Sequence, residues 1–189
     1  DQVPLIKANS DFDVVGGPVA NVRFIALDEN NGPLKNKLVR QALSHSIDRQ
    51  TIVDSLWGGL TAQSQGFQHK LFGDLFVEDF KSPAYDPDLA KKLLRKIGFN
   101  IDFSVVDNPS DPAPDRMMSD LSNTAYFAFP IALLANNCPN GSYNTKTAPK
   151  AGMWQNDEFD KLCDVLNTST DKAEVKKAFA RALEIIEVE

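Results

Sequence analysis

Cysteine and histidine are scarce in this chain, two of each in 189 residues, and their scarcity excludes several chemistries. A disulfide-dense scaffold needs more cysteines than these. Neither Cys138 nor Cys163 belongs to a CxxC pair, so the pattern offers no zinc ribbon and no thiol redox motif. His45 and His69 fall far apart, in a helical stretch and a loop, with no acidic partners that spacing would place beside them, so a structural or surface role is expected of both. Long hydrophobic runs are also missing. The longest apolar-leaning stretch, Ala125 to Ala135, is too short for a membrane span and is broken by Pro130. Concentrated basic segments are absent as well, and the net charge of -6 argues against a nucleic-acid partner, which demands a positive surface. The chain opens on Asp1 with neither Met nor a basic and apolar leader, so any targeting signal is expected to lie outside this sequence. No GxSxG elbow is present, and nothing else marks a nucleophile. The acidic pairs Asp86/Asp88 and Asp157/Glu158 sit at helix starts, where the helix dipole favours them without any catalytic purpose.

What is present is the composition of an ordinary folded domain, 42% hydrophobic and 24% charged, of a length that suits one domain or at most two. Val19 to Leu27 mixes β-branched and aromatic residues ahead of the turn-rich DENNGP and reads as a strand. Between Asn36 and Trp57 the apolar residues recur at helical spacing, with a possible restart at Asp48, and Gly58-Gly59 ends the pattern. Thr61 to Pro83 has no clear period and reads as an irregular surface segment. YDPDLAKKLLRKIGF specifies a helix with Asp86 as N-cap, Pro87 at its first position, Leu89, Leu93, Leu94 and Ile97 inward, and Gly98 past its end. Asn100 to Val106 alternates as a strand, then runs into the proline-rich NPSDPAPD. Met117 to Asn137 reads as a strand followed by a short helix. After a polar loop, NDEFDKLCDVLNTS and TDKAEVKKAFARALEIIEVE form two helices, the second capped by Thr170 or Asp171. Cys163 falls on the apolar side of the first of these, where a free buried thiol is the expected reading; a single bridge to Cys138 stays open. Strands and helices are interspersed, so the class is α/β or α+β.

Four segments together resemble the extracellular solute-binding proteins of peptide- and nickel-type ABC importers: VRQALSHSIDRQTIVDSLWGG, YDPDLAKKLLRKIGF, WQNDEFDKLCDVL and TDKAEVKKAFARALEIIEVE. The resemblance implies an α/β fold, a mixed sheet flanked by helices, forming lobe II of a two-lobed, type II periplasmic-binding-protein-like architecture, with residues 1–189 as one domain. DQVPLIK is similar to the stretch where such proteins cross between lobes. The family pattern also places roughly thirty more residues between Val106 and Met117 than stand here. Either a deletion or residues missing from this sequence as read would account for the difference.

The resemblance implies binding without catalysis and without a cofactor: a small solute held between two lobes, hinge closure, and delivery to an ABC transporter permease outside the cytoplasmic membrane. The segments corresponding to the family's ligand loops are Gly58 and Gly59, then Asp107, Asn108 and Arg116, then Asn123 to Phe129. The expected ligand contacts are Gly59, Asn108, Arg116, Tyr126 and Phe127. Arg116 would suit an anionic group as a bidentate fork, but a solvated loop Arg is the commoner case. In peptide-binding members an Asp in the last segment pairs with the ligand's α-amino group, but here SNTAYFAFP carries no acid. A buried ammonium without a carboxylate is costly, so a sugar-like or opine-like solute competes with a peptide, stacking on Tyr126, Phe127 or Phe129. These aromatics read equally well as core residues of a strand. An interaction module for a protein partner is the other reading; it would hide its apolar surface, whereas a lobe separated from its partner lobe would expose it.

Overall fold

The structure is a computed structural model that describes residues 2–15, 20–30, 32–57, 61–99, 118–124, 129–149 and 152–188, with residues 118–124 described through the backbone. Two hydrophobic clusters organise it. The smaller is made by α2 (Lys37–Ser46) and α4 (Pro87–Lys96), which pack together and enclose Val39, Ala42, Ala90, Leu93 and Leu94 with Leu34 from the 3-10 turn Gly32–Lys35. Both helices start on side-chain caps. Asn36 accepts from the backbone N–H of Leu38 and Asp86 from that of Leu89, and Pro87 occupies a position where its missing N–H costs nothing. Gly98 follows α4 at φ +79°, the left-handed conformation that an L side chain rarely adopts.

The expected break at Asp48 is real. α2 ends at Ser46, and α3 (Arg49–Trp57) begins after Asp48, whose carboxylate accepts from the Thr51 backbone and hydroxyl. α3 carries no fully buried residue.

The larger cluster is built on α6 (Asp157–Thr168) and α7 (Lys172–Val188), which bury Phe159, Cys163, Leu166, Val175, Phe179 and Leu183. Asn156 caps α6, and Asp171 rather than Thr170 caps α7, accepting from Ala173 and Glu174. Onto this pair packs the short α5 (Ile131–Leu134), whose Leu133 and Leu134 are fully enclosed. β1 (Asn21–Leu27) contributes Val22 and pairs antiparallel with β2 (Met118–Thr124). Among the described residues that ribbon is the whole sheet; the strand expected over Asn100 to Val106 lies outside them. The short α1 (Val3–Lys7) buries nothing.

Two expectations are corrected. Residues 61–83 are irregular but are no surface segment: Phe67, Phe72, Leu75 and Phe80 all enter the larger cluster, and Phe72 meets Phe179 edge-on at 5.9 Å. Periodicity cannot show this, because the segment holds only the 3-10 turn Lys70–Leu75 and no α-helix or strand orders it. The buried Gln68 side chain does so instead, donating to the carbonyls of Gln65 and Val77 and accepting from the Val77 N–H. Second, Cys163 is no free thiol. It is joined to Cys138, Cα to Cα 5.8 Å, which clips the turn after α5 onto the buried face of α6.

Candidate ligand-binding site

The sequence-derived contacts Gly59, Asn108, Arg116, Tyr126 and Phe127, with Gly58 and Asp107, lie outside the described residues. The described residues between two of them form β2. Met118, next but one after Arg116, stands opposite Leu27; Thr124, next but one before Tyr126, stands opposite Asn21. These are the two ends of a ribbon seven residues long, about 20 Å at strand rise. Arg116 thus precedes β2 in sequence and Tyr126 follows it. Phe129 is described, half-buried against the larger cluster, so for this aromatic the core reading holds.

Both histidines and a buried polar cluster are engaged in holding the fold. His45 donates through Nδ1 to the Ala84 carbonyl at 2.7 Å, and His69 Nδ1 accepts from the Leu71 N–H as the cap of a 3-10 turn. Asn144, fully enclosed, donates to the Asn137 carbonyl and to Asp160, and accepts from the Lys146 N–H. Lys146 bridges Asp157 and Asp160 at 2.7 and 2.8 Å, and these hydrogen bonds push its ammonium up to about 12 while holding the Asp157 carboxyl below its usual range. Among the described residues there is no group of three or more His, Cys, Asp or Glu side chains able to hold a metal ion. No helix among them is long and apolar enough to cross a membrane.

What the described surface offers a partner is apolar. Leu5 and Leu56 are each 74% exposed and Val15 is 92% exposed; Phe12, Ile52 and Trp57 are exposed beside them in sequence. Leu5, Ile6 and Phe12 line a shallow depression of about 220 Å³ with Gln2 and Asn9. Another depression, about 440 Å³, lies over Gln65, Lys70, Gly73, Phe76 and Glu78. Two acids that the sequence did not single out are withdrawn from water: Glu29, between the Gln155 N–H and Arg40, and Glu187 near the end of α7. An isolated Glu, in a turn as Glu29 is or on a helix as Glu187 is, gives no sequence signal for burial.

Comparison with known proteins sets this geometry in context. Residues 1–126 match the model of the bacterial extracellular solute-binding proteins, family 5, middle portion. A glutathione-binding protein of Shigella flexneri serotype 5b is 26% identical over 104 residues, 55% of this chain and 20% of that protein. The glutathione-binding protein of Escherichia coli K12 shows the same identity and coverage. Among solved structures, the periplasmic binding protein DppA of Helicobacter pylori, in complex with the peptide STSA, superposes with a TM-score of 0.77 at 17% identity. That match covers 98% of this chain and 43% of DppA. NikZ of Campylobacter jejuni, in complex with Ni(L-His), gives 0.75 at 16% identity, covering 98% of this chain and 46% of NikZ. The matched region thus spans about a fifth of the curated relatives, and the chain spans less than half of these structures.

Proposed function

The chain belongs to family 5 of the bacterial extracellular solute-binding proteins, and we propose from that premise that it is lobe II of a substrate-binding component of an ABC importer. Residues 1–189 supply one wall of a cleft; a second lobe supplies the other; a small polar organic solute closes them together, and the closed form docks on the membrane permease. The reading includes no catalytic step and no cofactor. It places the protein in the periplasm or outside the cell, and the Cys138–Cys163 disulfide supports that, since such bridges persist in oxidising compartments.

One structural observation carries the reading over a self-contained interaction module. Scattered exposed hydrophobics are ordinary, but here Leu5, Ile6, Phe12, Val14 and Val15 are all exposed within one short segment, and Ile52, Leu56 and Trp57 on one helix. Such concentrations mark surfaces meant to be covered. A second lobe covers them in this reading.

The ligand class follows from what the relatives are named for: glutathione, a peptide and a histidine complex of nickel all present amino-acid groups. The absence of an acid in SNTAYFAFP means that an α-ammonium would have to find its carboxylate elsewhere. Sugar-like and opine-like solutes therefore stay in the panel. The test is a thermal-shift screen of the complete gene product against glutathione, di- and tripeptides, Ni(L-His), opines and sugars. A saturable rise in Tm with one of them supports solute capture. No shift with any, together with stoichiometric binding of a protein partner, overturns it in favour of the interaction module.

A further inference from the structure

Glu187 occupies the last turn of α7 and is largely buried, yet no ion pair within contact distance neutralises it among the described residues. Its Oε2 accepts from the Ser82 hydroxyl at 2.8 Å, and the Phe67 backbone N–H donates to the same carboxyl. Gly66 makes room for it: at φ +85° a Cβ there would come within 3.0 Å of Glu187 Oε1 and 2.8 Å of the Phe80 ring. Arg49 on α3 faces it as the neighbouring charge, but the guanidinium is committed to the Ser44 and Pro83 carbonyls and the Ser44 hydroxyl. From α2, Gln41 donates to the carbonyl of Val188, the next residue, and His45 holds Ala84 beyond Ser82. Three parts of the fold, the end of α7, α3 and residues 61–83, thus face one carboxyl, and α2 holds the backbone beside it.

We propose that Glu187 is a proton-responsive joint: it ties the last turn of α7 to α3 and to residues 61–83, and acidification tightens it. The direction follows from the surroundings. Burial penalises the charged carboxylate more than Ser82, Arg49 and the Phe67 N–H together relieve it, so the carboxyl titrates above its ordinary value. A carboxyl whose folded value is raised binds a proton more readily in the joined state than in an opened one, so its contribution to joining is complete below the unfolded value and lost as pH rises through the folded one. The neutral acid keeps an acceptor for Phe67 and can donate to Ser82.

Hydrogen exchange of the Phe67 amide and of the last turn of α7, corrected for intrinsic rates, reads the joint directly. In the wild-type chain, protection should rise severalfold from about pH 7.5 to about pH 5. In Glu187→Gln, whose amide can accept from Phe67 and donate to Ser82, protection should be high at both and flat. A wild-type protection that is unchanged or falls on acidification overturns the proposal, as does a Glu187→Gln variant that retains the wild-type pH response. Ser82→Ala keeps the carboxyl and removes a donor to its charged form, so the transition should move to higher pH; a transition that stays or moves lower also overturns it.

Discussion

Cys138 and Cys163 are bonded to one another across 25 positions of sequence, and both are buried, at 4% and 1% exposure. The bridge fixes the turn that follows α5 against the face of α6 that also carries Phe159 and Leu166. In the chain-entropy account a closed loop of this length stabilises by roughly 3 kcal/mol. Cys138→Ala with Cys163→Ala, or full reduction, should therefore lower the denaturation midpoint by a corresponding amount. Equal midpoints with and without reductant would show that the loop is held by other contacts alone.

The Asn144 side chain does the same work without a covalent bond. It is fully enclosed and makes three hydrogen bonds, to Asn137, Asp160 and the Lys146 N–H. Asn144→Ala leaves the Asn137 carbonyl without this donor and takes one of its two partners from Asp160, which stays on Lys146, a cost of roughly 1–3 kcal/mol by urea denaturation. A loss under about 0.5 kcal/mol would mean that water replaces the amide freely.

Much of the fold was legible where local chemistry and burial agree. The Asp86-Pro87 start and Gly98 stop of α4, the restart at Asp48, and the strand-then-helix reading of Met117 to Asn137 all appear as the sequence spacing predicts. Residues 61–83 were misread because their burial is set by Gln68 bonding to its own loop and by Phe72 meeting Phe179, contacts that leave no period. The sequence leaves the disulfide open because Cys163 on an apolar helix face looks the same whether bonded or free. The expected ligand contacts rest on the resemblance alone and lie outside the described residues.

Replacing the cap of α4 tests the most local of these readings. Asp86→Ala removes the acceptor for the Leu89 N–H at 2.8 Å and should cost about 1 kcal/mol. Asp86→Asn, which keeps the acceptor, should recover most of it, and a pair of equally impaired variants would show that charge rather than capping matters.

Acid should weaken the start of α6 and its tie to α7. Lys146 beside Asp157 and the Arg181 fork on Glu158, at 2.7 and 2.9 Å, hold both carboxyls below their ordinary values of 3.8 and 4.5. A depressed carboxyl contributes stability that is present above its unfolded value and lost as pH falls through the folded one. The combined variant Asp157→Asn, Glu158→Gln should thus be less stable than wild type at neutral pH and show a shallower decline below about pH 4.5. Identical acid limbs would assign the decline to other groups. Glu29, whose carboxyl is raised by burial, works in the opposite sense and loses its contribution as pH rises.

The most direct test of capture between two lobes is small-angle scattering of the complete gene product with and without the solute that raises its Tm. Hinge closure predicts a smaller radius of gyration in the bound state, with no change in mass. Saturable binding that leaves the scattering profile unchanged would contradict it.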